Sequence, residues 1–99
     1  MADQYDVFQV RPGQFAVVVQ SSLFATSRTR VVVPALPARA AGPGADSLGG
    51  RVSIGGRDLQ LLPLMTTTLD VEELGYRVGN VGDQEGEVRR ALEMLIEGV

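Results

Sequence analysis

"TRVVVPAL", residues 29–36, decides the fold together with "FAVVV", residues 15–19. Side chains alternate between the two faces of a strand, so Phe15, Val17 and Val19 fall on one side and Ala16 and Val18 on the other. Both sides are apolar, and the valines 31–33 repeat the pattern. A strand that alternates polar with apolar needs cover on one face; these need it on both.

Working outward, "QYDVFQV" (4–10) reads as a first strand that "RPGQ" (11–14) turns back into "FAVVVQ". Proline presets the first turn φ and glycine accepts positive φ at the next position, as a type II turn requires. Downstream of Pro34, "PARAAGPGADSLGG" (37–50) is rich in Gly, Pro and Ala and reads as a long excursion with little regular structure. "RVSI", "GG" and "RDLQLL" then form a second hairpin, its two glycines supplying the tight turn. "LMTTTL" (64–69) is expected to be extended, its threonines there for β-propensity: with no His, Cys or Lys in the chain, no such base exists to activate a hydroxyl.

The chain closes on a helix. From Val88 the apolar residues fall at 88, 91, 92, 95, 96 and 99, one stripe of a helical surface. Gly82 or Asp83 can cap its start, and Asp83, Glu85 and Glu87 suit the positive end of the helix dipole. At the far end Glu93, Glu97 and the terminal carboxylate crowd the negative end, where each unpaired acid costs roughly 0.3–1 kcal/mol. That unfavourable charge predicts an external cation, and the apolar finish at Gly98 and Val99 predicts a tail held by a contact. One helix covers one face of the sheet. Apolar area left on the other, at about 25 cal/mol per Å², is expected to join two copies about a two-fold axis.

Ninety-nine residues make a single domain, 1–99, and 44% hydrophobic with 21% charged residues is the composition of a folded globular chain. No apolar run approaches the roughly 20 residues of a membrane span, and the N-terminus lacks the basic start and apolar stretch of a signal peptide, so a cytoplasmic location is expected. The absence of Cys and His removes thiol nucleophiles, imidazole bases, disulfides and zinc sites of the usual ligands. No cofactor and no enzymatic activity are expected. All nine basic residues are Arg; residues 1–69 carry six of them against four acids, and residues 70–99 carry three against eight. An acidic C-terminal third suits a basic partner and makes direct nucleic-acid binding unexpected. Within polar "SSLFATSRT" (21–29), Leu23 and Phe24 either tuck under the sheet or offer an apolar contact to a partner.

The order and spacing of "VQSSLF" (19–24), "TRVVVPAL" (29–36), "MTTTL" (65–69) ahead of "LG" (74–75), and the final "EVRRALEMLIEGV" (87–99) resemble the CcdB family of bacterial toxins over nearly the whole chain. The resemblance implies a β-rich α+β fold: an SH3-like, partly open antiparallel barrel with a small second sheet and one C-terminal α-helix, assembled as a homodimer. It also implies a toxin of a toxin–antitoxin module that presents both C-termini to the DNA gyrase A subunit and traps the enzyme on cleaved DNA. A CcdA-like antitoxin with a disordered C-terminal segment is the other expected partner. The best-known members end in Trp-Gly-Ile, whereas this chain ends Glu97-Gly98-Val99, and its first hairpin loop is shorter by about three residues on our alignment. A ring that could stack on a guanidinium is replaced by a carboxylate that can bond to one. The expected partner-binding residues are therefore Leu23, Phe24, Glu93, Glu97, Gly98 and Val99. A non-poisoning relative that binds an antitoxin or another basic partner is the alternative. An endoribonuclease of the MazF type, which shares the barrel, would need a basic cleft and a proton-transfer group.

Overall fold

β3 (Thr29–Pro37) is the spine of the molecule. We describe residues 2–24, 26–41 and 50–97 of a computed structural model. Along one edge β3 pairs with β2 (Gln14–Val18), Val33 opposite Val17. Along its other edge it changes partner: residues 29–32 pair with β6 (Thr67–Asp70), and residues 35–37 with β5 (Arg57–Leu61). Pro34 sits at the change. Its carbonyl accepts Leu62 N–H at 2.8 Å on that edge, where its ring leaves no N–H to donate, so a proline is tolerated in a central strand because the ladder is interrupted there anyway.

β1 (Asp6–Arg11) pairs with β2 and with β7 (Tyr76–Asn80), and β4 (Arg51–Ile54) with β5, giving the antiparallel order β4-β5-β3-β2-β1-β7 with β6 attached to β3. α1 (Glu85–Glu97) follows. The described strands form one continuous sheet, so the expected small second sheet is an extension of the main one through β3. The sheet curls until its edge strands meet: Ile54 of β4 packs on Gly79 of β7, where a Cβ would collide with the isoleucine methyl. Side chains rather than hydrogen bonds close this seam, which is the partly open antiparallel barrel expected. The exposed edge of β4 is blunted by Gln84, whose amide accepts from Ser53 N–H at 2.7 Å and donates to Ser53 C=O at 2.8 Å, taking the place of a neighbouring strand.

Both predicted hairpins form, with Gly13 at φ 75° in the first turn and Gly55 and Gly56 at 57° and 77° in the second. "LMTTTL" is only half extended, because Pro63–Met65 turn as a 3-10 segment before β6 begins. Of the expected excursion, residues 38–40 form a 3-10 turn and residues 42–49 lie outside the described residues. The sequence pattern alone does not announce β7, because Arg77 and Gly79 interrupt its short alternation.

Val7, Phe15, Val17, Val33 and Ala35 make one core with Val88 and Ala91 of α1. The opposite face overturns the reason given for dimerisation. Phe8, Ala16, Val18 and Val32 are already buried there, under Ala2 and Leu74. The N-terminal segment is held over that face by Arg30, itself 3% exposed, whose Nε donates to Ala2 C=O at 2.9 Å while Nη1 donates to the carbonyls of Ser27 and Thr29. Leu74 arrives from the 3-10 turn Val71–Glu73, which Asp70 and Glu73 cap reciprocally. Among the described residues no apolar face of the central strands β2 and β3 remains to drive association.

Asp6 ties β1 to β7 and to the N-terminal segment. Burial pushes its carboxyl up, but bonds from Asn80 Nδ2 (2.9 Å) and Asp3 N–H (2.9 Å), and the Arg77 guanidinium at 3.0 Å, outweigh this and hold it below the ordinary value. A depressed folded-state pKa contributes stability that is present above the unfolded value and is lost as pH falls through the folded one. Asp6→Asn is therefore expected to lose about 1–3 kcal/mol at neutral pH. In urea melts its deficit against the native chain should shrink as pH falls below 3.8. An equal deficit at neutral pH and at about pH 2 would contradict this. Gly75, at φ 79° and with the Gln9 carbonyl where a Cβ would stand, admits no side chain. Gly75→Ala should cost about 2 kcal/mol or more by the same melts.

Candidate functional site

The apolar stripe of α1 is covered only for its first turns. Val88 and Ala91 are buried and Leu92 partly so, but Leu95 is 39% and Ile96 82% exposed. The reason is geometric: α1 leaves the turn Gly82–Gln84, which is bonded to Ser53, with its early residues Val88 and Ala91 in the sheet core, and it packs most against the turn Pro63–Met65. That turn is firm, with Met65 N–H donating to Leu62 C=O at 3.0 Å and Thr66 Oγ1 to Pro63 C=O at 2.6 Å. It nevertheless presents Leu64 (71%) and Met65 (63%) to solvent. The end of α1 and this turn thus place four large apolar side chains on neighbouring elements. Reading 95 and 96 as core and 64–65 as strand missed them; Pro63, breaking "LLPLM", was the available signal.

Glu93 and Glu97 are exposed, one helical turn apart on α1, and neither carries an ion pair among the described residues. The acids nearer the helix start are paired instead: Glu85 with Arg89 at 3.4 Å and Glu87 with Arg90 at 3.9 Å. The last turn contains no basic residue, so the negative end of the dipole is answered by nothing in the helix. Such a pair can take a guanidinium from outside in charge-assisted bonds. Gly98 and Val99, expected to complete this surface, lie outside the described residues.

Leu23 and Phe24 do not tuck under the sheet. They stand on the 3-10 turn Ser22–Phe24 at 89% and 62% exposure. The turn is braced from both sides: Phe24 C=O accepts Gln20 Nε2 at 3.1 Å and Ser27 N–H at 3.1 Å, and Gln20 Oε1 accepts Val31 N–H at 3.2 Å. Two large apolar side chains are thus held outward on a hydrogen-bonded turn. α1 packs chiefly against the Pro63–Met65 turn, β4 and the 3-10 turn Gly82–Gln84, and Leu23 and Phe24 stand on a different element from the acids.

The described residues contain no helix long and apolar enough to cross a membrane. None of the curated proteins matches the chain. A family model does, that of the CcdB protein, over residues 4–98, which spans the whole sheet, both exposed patches and α1. With that match over nearly its full length, the curled sheet that seals itself on Ile54 and Gly79, and a single closing helix, the chain belongs to the CcdB family of toxin–antitoxin toxins.

Proposed function

We propose that the protein is a gyrase poison that acts in the cytoplasm as a homodimer, binding the gyrase A subunit through the C-terminal end of the dimer and holding the enzyme on cleaved DNA. Family membership supports the toxin; the unpaired Glu93 and Glu97 beside an exposed apolar patch carry the choice of surface. Leu64, Met65, Leu95 and Ile96 are the surface we assign to the second copy, since a two-fold axis there would bury apolar area and bring two acidic helix ends together. Glu97 takes the place of a stacking ring, so the contact becomes a carboxylate–guanidinium bond to a basic gyrase surface. Gly98 would let the partner backbone approach, with Val99 as a small apolar tip. Leu23 and Phe24 add a contact at a second point. A CcdA-like antitoxin is the partner that would relieve the block.

Glu97 also favours a second reading, a relative that binds an antitoxin or another basic partner without poisoning. Purified protein in gyrase supercoiling and cleavage assays separates the two: stabilised cleaved DNA supports the poison, and its absence supports the binder. Specific cleavage of total RNA would instead make it a nuclease of the MazF type.

Glu97→Arg should abolish growth arrest on induction without lowering the melting temperature, because a cation at the end of α1 suits the dipole by about 0.3–1 kcal/mol. Unchanged arrest removes Glu97 from the contact. Ile96→Asp replaces an exposed side chain, so folding stability should stay within about 0.5 kcal/mol while sedimentation shifts from dimer to monomer. A dimer that survives the change lies elsewhere.

A further inference from the structure

The described strands are joined by ladders of main-chain hydrogen bonds everywhere except at the seam that closes the barrel. There Ile54 of β4 packs on Gly79 of β7. The outer edge of β4 is held instead by two side chains that follow β7 in the chain: Gln84, on the 3-10 turn Gly82–Gln84, and Glu87, in the first turn of α1.

In an antiparallel pair the main-chain groups of alternate residues point to opposite edges. Those of Ser53 point away from β5, and the Gln84 amide meets both, accepting the N–H at 2.7 Å and donating to the C=O at 2.8 Å. Glu87 Oε1 accepts Arg51 N–H, two residues earlier on the same edge, at 3.4 Å. A carboxamide carries the same carbonyl and N–H as a peptide group, so Gln84 stands in for one residue of a neighbouring strand. Its side chain is half-buried and can rotate off Ser53 without disturbing the core. Once it leaves, Ser53 presents a donor and an acceptor, and the seam rests on Ile54 against Gly79 and on the Glu87 bond.

We propose that the outer edge of β4 is a latent interface for a second copy of this chain, opened when Gln84 leaves Ser53 and the seam parts. The occupant follows from the edge itself. Across a two-fold axis at Ser53, the partner's Ser53 offers one N–H and one C=O, the pair that Gln84 supplies in the closed barrel. In that register Val52 faces the partner's Ile54 on one side of the sheet, and Arg51 faces the partner's Gly55 on the other. Apolar meets apolar, and no like charges are opposed. Gln84 is thus the guard of an edge that would otherwise template self-association. The inference uses neither the acids of α1 nor the gyrase reading.

The test is sedimentation equilibrium of the native protein, of Gln84→Ala, and of Gln84→Ala combined with Ser53→Lys, each checked for folding by circular dichroism. The native chain, monomer or dimer, is the reference, so the result does not depend on how Leu64, Met65, Leu95 and Ile96 are used. Gln84→Ala should raise the weight-average mass above the native value by about two-fold or more as concentration climbs to ~100 μM. Ser53→Lys, at an exposed position, sets like charges opposite each other on the axis and should return the mass to the native value. Should Gln84→Ala unfold, the native chain in urea below its transition replaces it: the mass should rise with concentration there, and Ser53→Lys alone should suppress the rise. A folded Gln84→Ala with native mass at every concentration, a rise that Ser53→Lys leaves unchanged, or a flat mass in the urea arm would each overturn the proposal.

Discussion

Strands apolar on both faces must be kept dry on both faces, and the described residues have one α-helix to do it. β2 and β3 carry that constraint, and most of the remaining structure answers it. α1 shields Val17, Val33 and Ala35; the N-terminal segment, Leu74 and the curl of the sheet shield Ala16, Val18 and Val32. Each fully buried valine or leucine is worth about 1.5–3 kcal/mol, whereas the hydrogen bonds that hold the covering segments contribute about 1 kcal/mol apiece. Burial therefore sets the architecture. Arg30 and Asp6 determine which segment does the covering.

That solution has a functional consequence. Once both faces are closed within one chain, the apolar side chains left in solvent lie on turns and at the overhanging end of α1. Leu23 and Phe24 sit on a turn braced by Gln20, and Leu64, Met65 and Ile96 on elements that contact each other. Surfaces built on rigid turns present side chains with little ordering cost on binding.

The charges are segregated in the same economical way. Acids early in α1 neutralise arginines of their own helix, leaving Glu93 and Glu97 uncompensated beyond them. Arg30, Arg51 and Arg77 on the strands bond to carbonyls, an amide and an acid, leaving Arg57 after the β4–β5 turn and Arg39 on the 3-10 turn after β3 without an acid among the described residues. One small acidic chain thereby offers a negative patch and a positive one on different elements, with complementary demands on whatever binds each.

Much of the architecture was legible without coordinates, because it rests on local rules. Alternation marked β2 and β3, Pro-Gly and Gly-Gly pairs marked both hairpins, and helical spacing with acids at its start marked α1. The acids Glu93 and Glu97 were legible as well, since a helix dipole is a property of the helix alone. What the linear pattern could not carry was every outcome set by distant partners. An exposed and a buried Leu95 or Ile96 have the same spacing; only the place where α1 leaves the sheet distinguishes them. Leu23 and Phe24 could lie either way until Gln20 was seen to fix their turn. β7 has too weak an alternation to stand by itself and exists because β1 offers it an edge. The second face of the sheet reads as open in the sequence because its cover, Ala2 and Leu74, comes from residues 72 positions apart. The sequence by itself determined which segments extend, turn and coil; the tertiary structure alone decided which apolar side chains were left without cover, because burial depends on what folds over a residue and not on what precedes it.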